Sequence, residues 1–176
     1  MHLIAVIGGK RSGKTTAVEA LVKGLVKHGY KVATVKHVSE KNFTIDTEGK
    51  DTWRHAKAGA NITATVSSDE IAIIRKTDTS HHKISNIIET FENEVDIIIF
   101  EGFRKLVERD KNVLKIVVIK NAEEALDASK RFKPLLAFVG SFSTKDLDFP
   151  APYVDVLATP EKLVRMVTDT IEASAC

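Results

Sequence analysis

Residues 8 to 16 read Gly-Gly-Lys-Arg-Ser-Gly-Lys-Thr-Thr, a spacing that suits the binding of a nucleoside triphosphate. Gly8, Gly13, Lys14 and Thr15 occupy the fixed positions of the phosphate-loop pattern G-x-x-x-x-G-K-[S/T]. Gly8 and Gly13 free the backbone to turn successive N–H groups inward around phosphate oxygens. Lys14 supplies a cation for the β- and γ-phosphates, and the Thr15 hydroxyl is placed to ligate Mg2+. Gly9, Lys10, Arg11, Ser12 and Thr16 complete the run expected to line the nucleotide.

A magnesium nucleotide also needs an acidic residue at the end of a neighbouring strand. Asp96 and Glu101 belong to one apolar run, 95 to 101. Five residues of strand separate them by roughly 16 Å on opposite faces, so they cannot serve one metal. Glu101 lies at the carboxyl end, where ligands of open α/β sheets bind, and is the expected acidic partner. Asp46 and Asp51, in the polar stretch after Lys36-His37, are the next acidic candidates; Asp51 can equally begin a helix. His37 is either a γ-phosphate contact or a strand-end residue without a role. His81 and His82 are adjacent, point apart on a helix and read as surface residues. Trp53 reads as a packing anchor rather than a base stacker.

The base is poorly encoded. Ser143 to Asp148 contains Thr144-Lys145, but Leu147 stands where a guanine-reading N/T-K-x-D motif needs aspartate. The first glycine of the loop is followed by Gly9 rather than lysine, which argues against the deviant loops of ParA/MinD-like ATPases.

These groups must be held by strands and helices. His2 to Ile7 reads as a buried strand running into the loop, and Val18, Leu21, Val22, Leu25 and Val26 form the apolar stripe of a following helix. That helix ends near Gly29, and residues 31 to 35 form a strand parallel to the one before. Residues 51 to 58 predict a short helix. The runs 62 to 66 and 71 to 74 are close enough to pair as a hairpin, making part of the sheet antiparallel. Ile84, Ile87, Ile88 and Phe91 form another helical stripe. Strands are expected at 95 to 100, 114 to 119 and 135 to 139, and a helix at 122 to 131. The charged stretch 103 to 112 reads mostly as a solvated loop. A last helix is expected to start with Thr159 as N-cap and Pro160 at its first position, facing Leu163, Val164, Val167 and Ile171 inward. The expected fold is α/β, a three-layer P-loop NTPase fold with a mostly parallel sheet and an antiparallel hairpin.

The chain has 176 residues, enough for one nucleotide-binding domain spanning residues 1 to 176. A formal net charge of +2 gives no argument for nucleic acid or a membrane surface. No apolar run approaches the roughly 20 residues of a membrane span, and the sequence enters its first strand without room for a signal peptide. The single cysteine, Cys176, excludes an intrachain disulfide and a multi-cysteine zinc site. A cytoplasmic location is expected.

Beyond the loop, ordered segments resemble the molybdopterin-guanine dinucleotide biosynthesis protein B (MobB) family. They are 4 to 16, Val35-Lys36-His37, Asp46 followed by Gly49-Lys50-Asp51-Thr52, Ala58-Gly59-Ala60, Val95-Asp96 through Glu101-Gly102-Phe103-Arg104, and 115 to 118. The resemblance covers about the first two-thirds of the chain. It implies a GTP-binding protein with weak Mg2+-dependent GTPase activity, dimeric, that assists the MobA nucleotidyltransferase in joining GMP to molybdopterin. Carried over by position, Gly8, Gly13, Lys14 and Thr15 would hold GTP and Mg2+, with Asp46 and Glu101 near the metal. Family members commonly have a His-His-Asp run after the Lys-His pair, and residues 38 to 46 here depart from it. Whether the pterin binds directly stays open. So do two other readings: a small-molecule kinase closing with Arg104, Lys105 and Arg109, and a non-catalytic nucleotide switch.

Overall fold

The computed structural model describes residues 1–142 and 148–174. The chain divides into two compact units: Met1–His37 together with the segment from Lys83 onward, and Val38–His82.

In the larger unit, β1 (His2–Gly8) leads into α1 (Lys14–Lys27) and β2 (Val32–Lys36). After residue 83 come α3 (Ile84–Ile88), β5 (Ile97–Glu101), α4 (Arg104–Val107), β6 (Val113–Val118) and α5 (Ala122–Arg131). β7 (Leu135–Gly140), β8 (Tyr153–Asp155) and α6 (Pro160–Ala173) complete it. Among the described residues the sheet has six strands in the order β2-β5-β1-β6-β7-β8. Every neighbouring pair is parallel.

Because both faces of this sheet are covered, its central strands are continuous apolar runs. Alternate residues serve opposite cores. Ile4, Val6, Ile97 and Ile99 pack with Ala17, Leu21 and Leu25 of α1 and Leu163, Val167 and Ile171 of α6. Ala5, Ile7, Ile98 and Phe100 pack with Val107 of α4 and Ala125 and Ala128 of α5. Burying each large side chain contributes about 1.5–3 kcal/mol. The expected stripe of α1 holds for Val18, Leu21 and Leu25, with Val22 half-buried, but Val26 is exposed, because the inward line runs at four-residue steps through Ala17, Leu21 and Leu25. All four inward positions expected of α6 are buried. Thr159 stands at the N-cap, yet its hydroxyl donates to the Asp155 carbonyl instead of accepting from the helix.

The 38–82 unit contains α2 (Asp51–Lys57) and the antiparallel pair β3 (Ile62–Val66) and β4 (Ile71–Arg75). The hairpin is where the sequence expects it, but it forms a separate two-stranded sheet rather than part of the main one. In this pair Thr63 is buried, while Ile62, Val66, Ile71 and Ile73 face solvent. Among the described residues no helix is long and apolar enough to cross a membrane.

Candidate functional site

β1 is the middle of the sheet, so the loop that follows it emerges at the centre of the carboxyl edge. Gly8 is required by packing: a Cβ there would lie 2.7 Å from the Val118 carbonyl oxygen. Gly13 is required by conformation, since it caps α1 at φ 95°. Arg11 also adopts a left-handed backbone, at φ 56°. The N–H groups of residues 9 to 13 lie outside both the β1 ladder and the α1 helix, in a loop that ends on the positive pole of α1. The Ser12 hydroxyl is buried in this loop without a hydrogen-bond partner among the described residues. A phosphate would satisfy it.

Lys14 Nζ donates to the Gly9 carbonyl at 2.6 Å, folding its cation over the mouth of the loop. Burial pushes its pKa below the ordinary lysine value; Glu101 opposes this shift, while Lys36 and Lys120 reinforce it. Four charges from four segments therefore converge on the loop.

Glu101 is brought there by register. Its Cα is paired with Val6 on one side and Lys36 on the other. Thr15 Oγ1 donates to Glu101 Oε1 at 3.1 Å, and Lys36 Nζ lies 3.3 Å from the same oxygen. The backbone fixes this corner as well: the His37 N–H donates to the Glu101 carbonyl and the Gly102 N–H to the Val6 carbonyl, both at 3.0 Å. Gly102 and Phe103 then turn the chain through two successive left-handed residues, at φ 93° and 53°. The Phe103 ring meets the His37 ring edge-on, with centroids 5.3 Å apart. His37 thus reaches the carboxyl edge, where its ring packs on Phe103.

Asp96 is at the opposite end of the strand, as its position relative to Glu101 requires. Its Oδ2 accepts from the Lys31 N–H at 2.7 Å and so secures the start of β2. Asp46 belongs to the 38–82 unit. Its Oδ1 accepts from the Thr52 hydroxyl at 2.8 Å and from the Thr47 N–H at 3.0 Å, while its Oδ2 is buried without a partner among the described residues. Asp51 opens α2 and lies 3.8 Å from Arg54. Trp53 is half-buried there, with Lys57 Nζ 5.3 Å from the ring centroid. Two loop-edge lysines are assigned no role by residue type alone. Lys36 pairs with Glu101, and Lys120, two residues past β6, reaches the Lys10 carbonyl at 3.4 Å. Lys36 ends its strand within the Val35-Lys36-His37 segment of the family resemblance, whereas a place just past a parallel strand is the sequence signal that Lys120 carries. The weak guanine-reading match at 143–147 lies outside the described residues.

Thr15 Oγ1 and Glu101 Oε1 are two hard oxygens within reach of one small cation. That fits Mg2+, which takes one or two protein oxygens and completes its shell with water and phosphate. Glycine-rich cradle, lysine, helix pole and oxygen pair together suit a magnesium nucleoside polyphosphate.

Comparison with known proteins gives the family and the fold. The family model of molybdopterin guanine dinucleotide synthesis protein B matches residues 3–141. A relative from Methanocaldococcus jannaschii is 35% identical over 124 residues, 70% of this chain and 49% of the relative. The molybdopterin-guanine dinucleotide biosynthesis adapter protein of Haemophilus influenzae is 31% identical over 104 residues, 58% of this chain and 57% of its own. These matches therefore span only about half the length of the two relatives. The crystal structure of Bacillus subtilis MobB superposes with a TM-score of 0.72 at 22% identity, covering 94% of this chain and 98% of that one, which shows a shared fold. The family match includes the loop, the Lys36-His37 strand end and the Glu101 corner just described, and the chain belongs to the molybdopterin guanine dinucleotide synthesis protein B family.

Proposed function

We propose that the protein is a GTP-binding adaptor of molybdenum-cofactor biosynthesis, with slow Mg2+-dependent GTPase activity. Its partner is a nucleotidyltransferase of the MobA type, which attaches GMP to molybdopterin, and the protein acts in the cytoplasm. The observation that carries the nucleotide reading is the Thr15–Glu101 contact at the mouth of the phosphate loop. Family membership supports the adaptor role.

In this reading the N–H groups of residues 9 to 13 and the Ser12 hydroxyl hold the phosphates, with Gly8 and Gly13 shaping the loop and Thr16 in the first turn of α1. Lys14 leaves the Gly9 carbonyl for the β/γ-bridge. Thr15 and Glu101 would hold Mg2+, which supplies charge neutralisation on the β- and γ-oxygens. Asp46 is a second acidic candidate for ordering metal-bound water. Glu101 already serves Thr15 and Lys36, so it is ill placed to act as a strong general base. This supports slow hydrolysis rather than rapid turnover.

The protein also acts as a homodimer in this reading. The solvent-facing Ile62, Val66, Ile71 and Ile73 of the hairpin support it, because an apolar sheet face with open edges invites pairing. Isothermal titration of the full chain with GTP, ATP and molybdopterin tests the proposal. Mg2+-dependent GTP binding is expected. Tight ATP binding without response to GTP or pterin would overturn it, and multiple-turnover phosphoryl transfer to a small acceptor would establish a kinase instead.

A further inference from the structure

We infer that Lys36 reads the terminal phosphate, distinguishing a nucleoside triphosphate from a diphosphate. This rests on the nucleotide-binding reading above. The argument begins with register: Lys36, the last residue of β2, is paired with Glu101, the last residue of β5. Parallel pairing in register puts both side chains on one face of the carboxyl edge. The consequence is the 3.3 Å ion pair between Lys36 Nζ and Glu101 Oε1.

The same Oε1 accepts the Thr15 hydroxyl at 3.1 Å. Ammonium and metal would therefore compete for one oxygen. A divalent cation held by Thr15 and Glu101 repels a lysine ammonium from its own ligand. Lys36 can respond because its side chain is 60% exposed, whereas that of Glu101 is only 12% exposed. The carboxylate stays and the lysine moves.

The structure also indicates where the lysine goes. Lys14 approaches the phosphates from inside the loop, anchored on Gly9. Lys36 comes from the other side of Glu101, two strands away from β1, in the order β2-β5-β1. From there the accessible anion is the outermost phosphate, beyond the oxygen pair that suits the metal. A diphosphate ends short of that position and offers the displaced ammonium no anion in its place. Its backbone neighbour is firmly held, since the His37 N–H donates to the Glu101 carbonyl, so the movement is confined to the Lys36 side chain.

The test is titration calorimetry of the full chain with GTP and GDP, each with and without Mg2+, for wild type, Lys36→Met and Lys36→Arg. Lys36→Met should reduce the preference for GTP over GDP about tenfold with Mg2+ present, leaving GDP affinity within about twofold. Lys36→Arg should restore most of the preference. A methionine variant that weakens GTP and GDP equally, or neither, overturns the inference. Failure of the wild type to bind any nucleotide overturns the reading beneath it and this inference together. Thermal melting of all three proteins identifies a folding defect, and the arginine variant decides the question if the methionine variant unfolds.

Discussion

Thr15 donates its hydroxyl to Glu101 Oε1 across 3.1 Å, although 86 residues separate the two in the chain. The contact exists because β5 lies beside β1 and ends opposite Val6, two residues before β1 runs into the loop. It sets two hard oxygens side by side at the phosphate loop, the pair proposed to hold Mg2+. Glu101→Gln keeps the shape and removes the charge, so GTP affinity without Mg2+ should stay within about twofold, while the gain from adding Mg2+ is lost. Calorimetry in EDTA and in Mg2+ separates these effects. Equal loss in both conditions would deny Glu101 a metal role.

Lys14 tests the cradle itself. Its ammonium is held over the loop by the Gly9 carbonyl and is exposed enough to swing to an anion. Lys14→Ala should weaken GTP and GDP binding by about a hundredfold or more, the loss of a charge-assisted contact in a confined site. Far-ultraviolet circular dichroism and the melting temperature should be unchanged, since the side chain supports no core contact. Unchanged affinity would remove the basis for the site.

Much of this was legible in the sequence. Helix α5 spans Ala122–Arg131, the expected residues, because Asn121 caps it by accepting from the Glu124 N–H and the acidic first turn suits its positive pole. The loop and Glu101 were legible too, because a glycine-rich turn and an apolar run ending in an acid have local signatures. Strand β8 was not: three residues after Pro152 carry no period, and only pairing with β7 makes them a strand. Lys36 and Lys120 were not, since their roles come from register between distant strands. The separateness of the hairpin was equally hidden, because local alternation fixes a pair of strands but not the sheet they join.

Buried charge gives a stability prediction. Lys115 is fully buried on the same face of β6 as Val113 and Val117, and its ammonium donates to the carbonyls of Asp110 and Lys133. Lys115→Met keeps the stem and orphans two carbonyls, so it should cost about 1–3 kcal/mol in urea unfolding. Burial lowers its pKa in the folded protein below the ordinary 10.5, with Asp110 opposing the shift. The unfolded chain then binds more protons between the folded and unfolded values, so wild-type stability should gain with rising pH across that window. The methionine variant should lack that gain, and melts across the alkaline range would show it.

The exposed hairpin face predicts how two copies would pair in the proposed homodimer. Antiparallel pairing of two β4 strands about Ile73 would set Glu70 of each copy opposite Lys76 of the other. Ile73→Glu should convert the proposed homodimer to a monomer by sedimentation velocity. Glu70→Lys should weaken the dimer by about tenfold, and adding Lys76→Glu should restore it. Failure of the second change to rescue the first would exclude this register.

Gly24 tests the packing of α1 on α6. A Cβ there would lie 2.3 Å from Val164 Cγ2 and 2.8 Å from Cγ1. Two effects of Gly24→Ala oppose each other. Alanine favours the helix by about 1 kcal/mol, whereas overpacking a buried β-branched side chain costs about 1–3 kcal/mol. Val164 is only 5% exposed and, being β-branched, stiff at χ1, so the clash should win. Gly24→Ala alone should therefore lower stability by up to about 2 kcal/mol net. Adding Val164→Ala removes the clash at the cost of a small cavity, and the double variant should be more stable than the sum of the two single effects. Strict additivity in urea unfolding would show that the two positions do not touch.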